Sequence, residues 1–124
     1  MIERLIIALR ALAGPAEAQL ARFPEFVVKA DELALDFADA HLLFAQCQQL
    51  EFTRAQRDAV ADVDQLLDQM SGPERSALWT EQALREAPEW DSVRNAAKRA
   101  LRQLGYADGP VPPSDATYIP GGSK

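Results

Sequence analysis

Apolar residues recur every three or four positions along most of the first 106 residues, and no segment alternates with the two-residue period of a half-buried strand. Ile2, Leu5, Ile6, Leu9 and Leu12 fall on one stripe, which predicts a helix over 2–13. Gly14-Pro15 interrupts it, Pro15 suits the first turn of a short helix to about 22, and Pro24 ends that piece. A second long helix is expected over 31–50, with Asp31 as its N-cap. The next opens on Thr53 with Gln56 three residues on, the pattern of a capping box, and continues to Met70 before Ser71-Gly72-Pro73 stops it. A shorter helix is expected over 76–86. Pro88 then starts a last helix that runs to Leu104, carries Trp90, Val93, Ala97, Ala100 and Leu101 on one stripe, and is closed by Gly105.

This pattern predicts an all-α fold, a compact bundle of about five helices over 1–106, followed by a Pro/Gly-rich tail over 107–124. That tail is either disordered or pinned through Tyr118 and Ile119. The helix over 31–50 is unusual in being apolar on two sides. Leu33, Phe37, Ala40, Phe44 and Cys47 share one side, and Leu35, Ala38 and Leu42 another. Glu32, Asp36 and Asp39 form a carboxylate stripe between the two groups. Such a helix is expected near the middle of the bundle, with its acids at the surface or in a groove.

Charge changes the picture. Between Lys29 and Met70 there are nine acids and three bases, a difference of −6, while the remaining ten acids and ten bases cancel. The whole net charge therefore sits on about a third of the chain. An acidic domain of this kind argues against direct nucleic-acid binding and is compatible with a basic partner or with solvation alone. The like-charge pairs Asp58/Asp62 and Asp64/Asp68 are mildly unfavourable to an isolated helix, so nothing in helix formation itself calls for them. Two readings stay open: a solvated acidic face, or a docking surface in which Glu32, Asp36, Asp39, Asp58 and Asp62 meet the lysines and arginines of a partner.

Other candidate chemistry is sparse. His41 has Phe37, Ala38, Phe44 and Ala45 at helical spacing, none able to ligate a metal or relay a proton, and it reads as a structural histidine at the flank of the core. Cys47 reads as an inert buried thiol, and one cysteine gives no internal disulfide. The glycines match no phosphate loop. Arg94, Lys98, Arg99 and Arg102 crowd the last helix without interleaved aromatics, which suggests ion pairing with the bundle's own acids or a solvated face. Trp79 and Trp90 read as core anchors, with an interface role as the alternative. No metal, cofactor or catalytic residue is expected. Glu3 and Arg10 argue against a secretion signal at the N-terminus, and no stretch is apolar enough to span a membrane, so a cytoplasmic protein is expected.

Three stretches, "KADELALDFADA", "LLDQMSGPERSALWTEQAL" and "PEWDSVRNAAKRALRQLGY", together resemble a family of small helical bacterial proteins, the immunity proteins of contact-dependent growth inhibition loci. The likeness covers roughly residues 1–106 in the same order, and its most specific parts are Met-Ser-Gly followed by Leu-Trp-Thr, then Trp-x-x-Val-Arg. It implies a protein that binds and neutralises a cognate toxin domain, often a cationic nuclease; a non-enzymatic protein, monomer or weak homodimer, is expected. The alternative is a helical scaffold that self-associates through Leu35 and Leu42.

Overall fold

The computed structural model describes residues 2–23, 28–46 and 52–106. Pro24, Cys47, the expected helix end at 47–50 and the tail over 107–124 lie outside the described residues. The described residues form six α-helices and one 3-10 segment: α1 (Ile2–Ala13), α2 (Ala16–Ala21), α3 (Lys29–Gln46), α4 (Arg54–Gln69), the 3-10 segment (Pro73–Trp79), α5 (Glu81–Glu86) and α6 (Pro88–Leu104). The fold is all-α, and there is no strand among the described residues.

The helix boundaries follow local chemistry. At the start of α4 the Gln56 backbone N–H donates to Thr53 Oγ1 at 3.1 Å and the Thr53 N–H donates to Gln56 Oε1 at 2.8 Å, the reciprocal pair of a capping box. Gly105 sits in the left-handed region at φ 89°, which lets its N–H reach the Arg102 carbonyl and lets the Tyr106 N–H reach that of Leu101. Those two bonds form a Schellman ending for α6. Gly72, at φ 122°, turns the chain from α4 into the 3-10 segment.

Two expectations about boundaries are corrected. Asp31 is not an N-cap: α3 starts at Lys29, and the Glu32 N–H already donates to the Val28 carbonyl, so Asp31 lies in the first turn. A carboxylate there still gains from the helix dipole. The helix expected over 76–86 is divided at Thr80, whose backbone is extended and whose Oγ1 accepts from the Ala83 N–H at 3.0 Å. Thr80 thereby ends the 3-10 turn and caps α5.

The four long helices close into a ring in the order α1, α3, α4, α6. The most extensive packing is α6 against α4 and against α1, followed by α1 against α3. Helix α5 packs on α2, α3 and α6, and the 3-10 segment packs on α5. Leu5, Ile6, Leu9 and Leu12 of α1 are buried, as are Trp90, Val93, Ala97, Ala100 and Leu101 of α6. Ala96, Ala97 and Ala100 are small enough to let neighbouring helices approach closely. Phe37 of α3 and Val60 and Val63 of α4 complete the centre, all fully buried.

A polar cluster is buried with them. Gln19 of α2, 1% exposed, donates through Nε2 to the carbonyls of Ala11 (3.1 Å) and Leu12 (2.9 Å) in the last turn of α1. These are carbonyls that a helix end leaves without partners. The Gln19 Oε1 accepts in turn from Arg94 Nη2 at 2.9 Å, and the same nitrogen donates to the Leu84 carbonyl of α5. Arg94 Nη1 meets Asp91 at 2.8 Å. One guanidinium and one amide thus join α1, α2, α5 and α6. Arg94 was expected in a solvated or ion-paired cluster, and its pairing with Asp91 accords with the second option, but its burial was not foreseen.

Candidate functional site

The 100° step of an α-helix gives α3 three separate faces. The face with Ala30, Leu33, Phe37, Ala40 and Phe44 is buried against the core. Opposite it, Leu35 is 54% exposed and Leu42 60% exposed, one residue above the other at seven-residue spacing. Val28, exposed just before the helix, continues that spacing. The expectation that α3 runs through the middle of the bundle is therefore overturned. Among the described residues no element covers its second apolar group, because α3 takes one place in the ring and turns this side away from α1 and α4.

Asp39 and Glu32 lie about 40° and 60° around the helix from Leu35, and Asp31 about 40° to the other side. Asp31 and Asp39 are exposed and Glu32 is half-buried. The lone basic residue of the helix, Lys29, is buried, with Nζ 3.8 Å from Glu81 Oε2 at the start of α5. The solvent face of α3 accordingly carries carboxylates and leucines and no lysine or arginine.

The five acids singled out in the sequence are not gathered into one patch. Asp36 turns toward α2, its Oδ2 3.5 Å from Arg22 Nη2. Burial raises the Asp36 pKa above its ordinary value, and Arg22 offsets only part of that shift. Asp39 lies in the open beside it. Asp58 and Asp62, on α4, instead line a shallow groove of about 330 Å³ against Arg99, Arg102 and Gln103 of α6. Asp58 also lies 3.7 Å from Arg54, one turn earlier on its own helix. The α4 acids thus have cations of the chain close by, whereas Asp31 and Asp39 border an apolar ridge.

His41 touches neither group. It stacks on Phe37, ring centroids 5.5 Å apart and planes within 10°, and its Nδ1 lies 3.7 Å from Asp64 of α4. That separation is too long for a hydrogen bond and becomes an ion pair when the imidazole is protonated. Among the described residues no group of three or more His, Cys, Asp or Glu side chains could hold a metal ion. No helix of the described residues is long and apolar enough to cross a membrane.

A trough that the sequence reading missed lies where α3 meets the 3-10 segment. It is shallow and open to solvent, about 460 Å³ in volume, with Asp31, Ala34 and Leu35 on one side and Gly72, Ser76 and Trp79 on the other. Trp79 is half-buried, its indole N–H donating to the Met70 carbonyl at 2.8 Å, and it packs edge-on against the fully buried Trp90, centroids 5.4 Å apart. Trp90 donates to the Leu78 carbonyl at 2.7 Å. Trp90 is a core anchor, whereas Trp79 is a wall of the trough. The signal in the sequence was the seven-residue repeat of Val28, Leu35 and Leu42, but which side of a doubly apolar helix stays uncovered is decided by its neighbours. No known protein family, curated protein or solved structure matches the chain.

Proposed function

We propose that this is a non-enzymatic inhibitor of the immunity type, which binds a cationic toxin domain and blocks its working surface. The observation that carries the reading is the solvent face of α3. It combines exposed Leu35 and Leu42 with Asp31 and Asp39 and carries no exposed cation. Complementary charge on a basic partner speeds encounter and sets orientation, and the leucines supply the burial that slows dissociation. The three sequence stretches that resemble immunity proteins of growth-inhibition loci support the same reading. Glu32 and Asp36 border this face, Asp36 already engaged with Arg22, and Asp58 and Asp62 act as outlying contacts across α4.

The test is co-expression with a basic toxin domain encoded beside its gene. Co-purification of the two and survival of the producing cells is the expected result. Reversing the exposed pair, Asp31→Lys with Asp39→Lys, should slow association and weaken protection while the helical content is unchanged. Asp36 is a poorer choice for reversal, because a lysine there would also oppose Arg22. Full protection by the reversed protein, or no complex at all, would defeat the proposal.

A second reading is favoured by the exposure of the same leucines: a scaffold that pairs with itself along α3. Sedimentation separates the two, since a stable dimer that Leu42→Glu disperses supports self-association and a monomer supports the inhibitor.

A further inference from the structure

We propose that the trough between α3 and the 3-10 segment is the anchor point for the partner, and that what it receives is one face of an amphipathic cationic helix of another protein. This deepens the inhibitor reading and rests on it for the partner's biological identity. In the pose, a large apolar side chain of the partner enters beside Leu35 and Trp79. Lysines or arginines flanking it meet Asp31 and Asp39.

Shape comes first. The trough, about 460 Å³, is of the size that admits a large side chain, and its walls are built from Ala34, Leu35 and the ring of Trp79. The polar atom of Trp79 is already committed to Met70, so the ring presents apolar surface. Gly72 and Ser76 form a low rim on the far side, where a partner backbone can come close. From Leu35 the ridge continues to Leu42, seven residues or about 10 Å along the axis, which matches the i to i+7 spacing of anchors on a docked helix.

Charge then selects among occupants. A second copy of this chain, laid α3 against α3, would gather the exposed Asp31 and Asp39 of both copies, while Lys29, the one lysine or arginine of the helix, is buried and held near Glu81. Like charges brought together at an interface oppose that pairing. A cationic helix meets the same surface without conflict, and its apolar face covers leucines that are otherwise left to water.

Titration of the full chain, labelled with nitrogen-15, against synthetic helical peptides of about five turns tests the proposal. One peptide alternates leucine and lysine on opposite faces, a second replaces its leucines by alanine, and a third replaces its lysines by glutamate. Binding of the first alone, with amide shifts at Leu35, Leu42, Gly72 and Ser76 and at the Trp79 indole, is expected. Leu35→Asp, at an exposed position, should keep the fold and weaken that binding by about tenfold or more. Equal binding of the alanine peptide would overturn the proposal, as would shifts centred on Asp58 and Asp62, or a dimer in sedimentation whose contacts map to Leu35. If Leu35→Asp loses the peptide yet protects fully against the toxin domain, the anchor is wrong and the inhibitor reading survives. If the peptide docks as expected but no toxin domain is neutralised, the anchor stands and the inhibitor reading falls.

Discussion

The two longest helices of the bundle, α3 with 18 residues and α6 with 17, treat their polar and apolar groups in opposite ways. Helix α6 hides every member of its apolar stripe except the half-buried Leu104, and draws the charged Arg94 inward, where Asp91, Gln19 and the Leu84 carbonyl take its two terminal nitrogens while Nε stays buried without a partner. Helix α3 hides only half of its apolar residues and leaves leucines in water beside carboxylates. Folding accounts for the whole apolar stripe of α6. It does not account for the outer face of α3, and a surface that folding leaves unexplained is where binding is most reasonably sought.

That contrast makes graded predictions. The inner face of α3 should behave like core: Phe37→Ala, at a fully buried position, is expected to cost about 3–5 kcal/mol in urea unfolding. A loss under about 1 kcal/mol would mean that α3 is poorly seated on both faces. Next comes the buried polar cluster of α6. Arg94→Ala leaves the Gln19 oxygen and the Leu84 carbonyl without their donor and should cost about 2–4 kcal/mol. Replacing both partners, Gln19→Leu with Arg94→Met, should recover part of that loss if the two groups are energetically coupled, although the α1 carbonyls then lose their cap.

Asp36 allows a finer test through pH. Burial raises its pKa in the folded chain, so the folded state holds this proton more tightly than the unfolded state does. Its contribution to stability therefore increases as pH falls through that raised pKa and is lost again as pH rises above it. Asp36→Asn should raise the melting temperature slightly at neutral pH, by under about 1 kcal/mol in stability, and remove this part of the pH dependence. A lower melting temperature would show that the ion pair with Arg22 outweighs the cost of burial. Smallest of all, Leu35→Ser with Leu42→Ser should shift stability by no more than about 0.5 kcal/mol each, since both side chains already face water.

Much of the fold was legible because its signals are local. Thr53 with Gln56, Gly72 before Pro73, Pro88 and Gly105 each mark a helix end by chemistry confined to a few residues. Thr80 was missed although it caps α5, because Ala83 stands where a glutamate or glutamine would complete the capping box and the 3-10 turn before it is too short to show a period. The burial of Arg94 could not be read at all, since it depends on Gln19, 75 residues away in the chain. The site was half legible. Its residue types and the nearness of Asp39 to Leu35 on one helix were visible, but the placement of Asp58 and Asp62 beside Arg99 and Arg102, and the exposure of Leu35, follow from how helices face one another.

Gln19 has one more implication. The elbow between α1 and α2 is fastened by an uncharged amide, which neither acid nor added salt can discharge. The outer edges of α2 are held differently, by Arg22 with Asp36 and by Glu17 with Arg85. High ionic strength should therefore loosen α2 from its periphery inward, and slow hydrogen exchange should persist longest at the elbow.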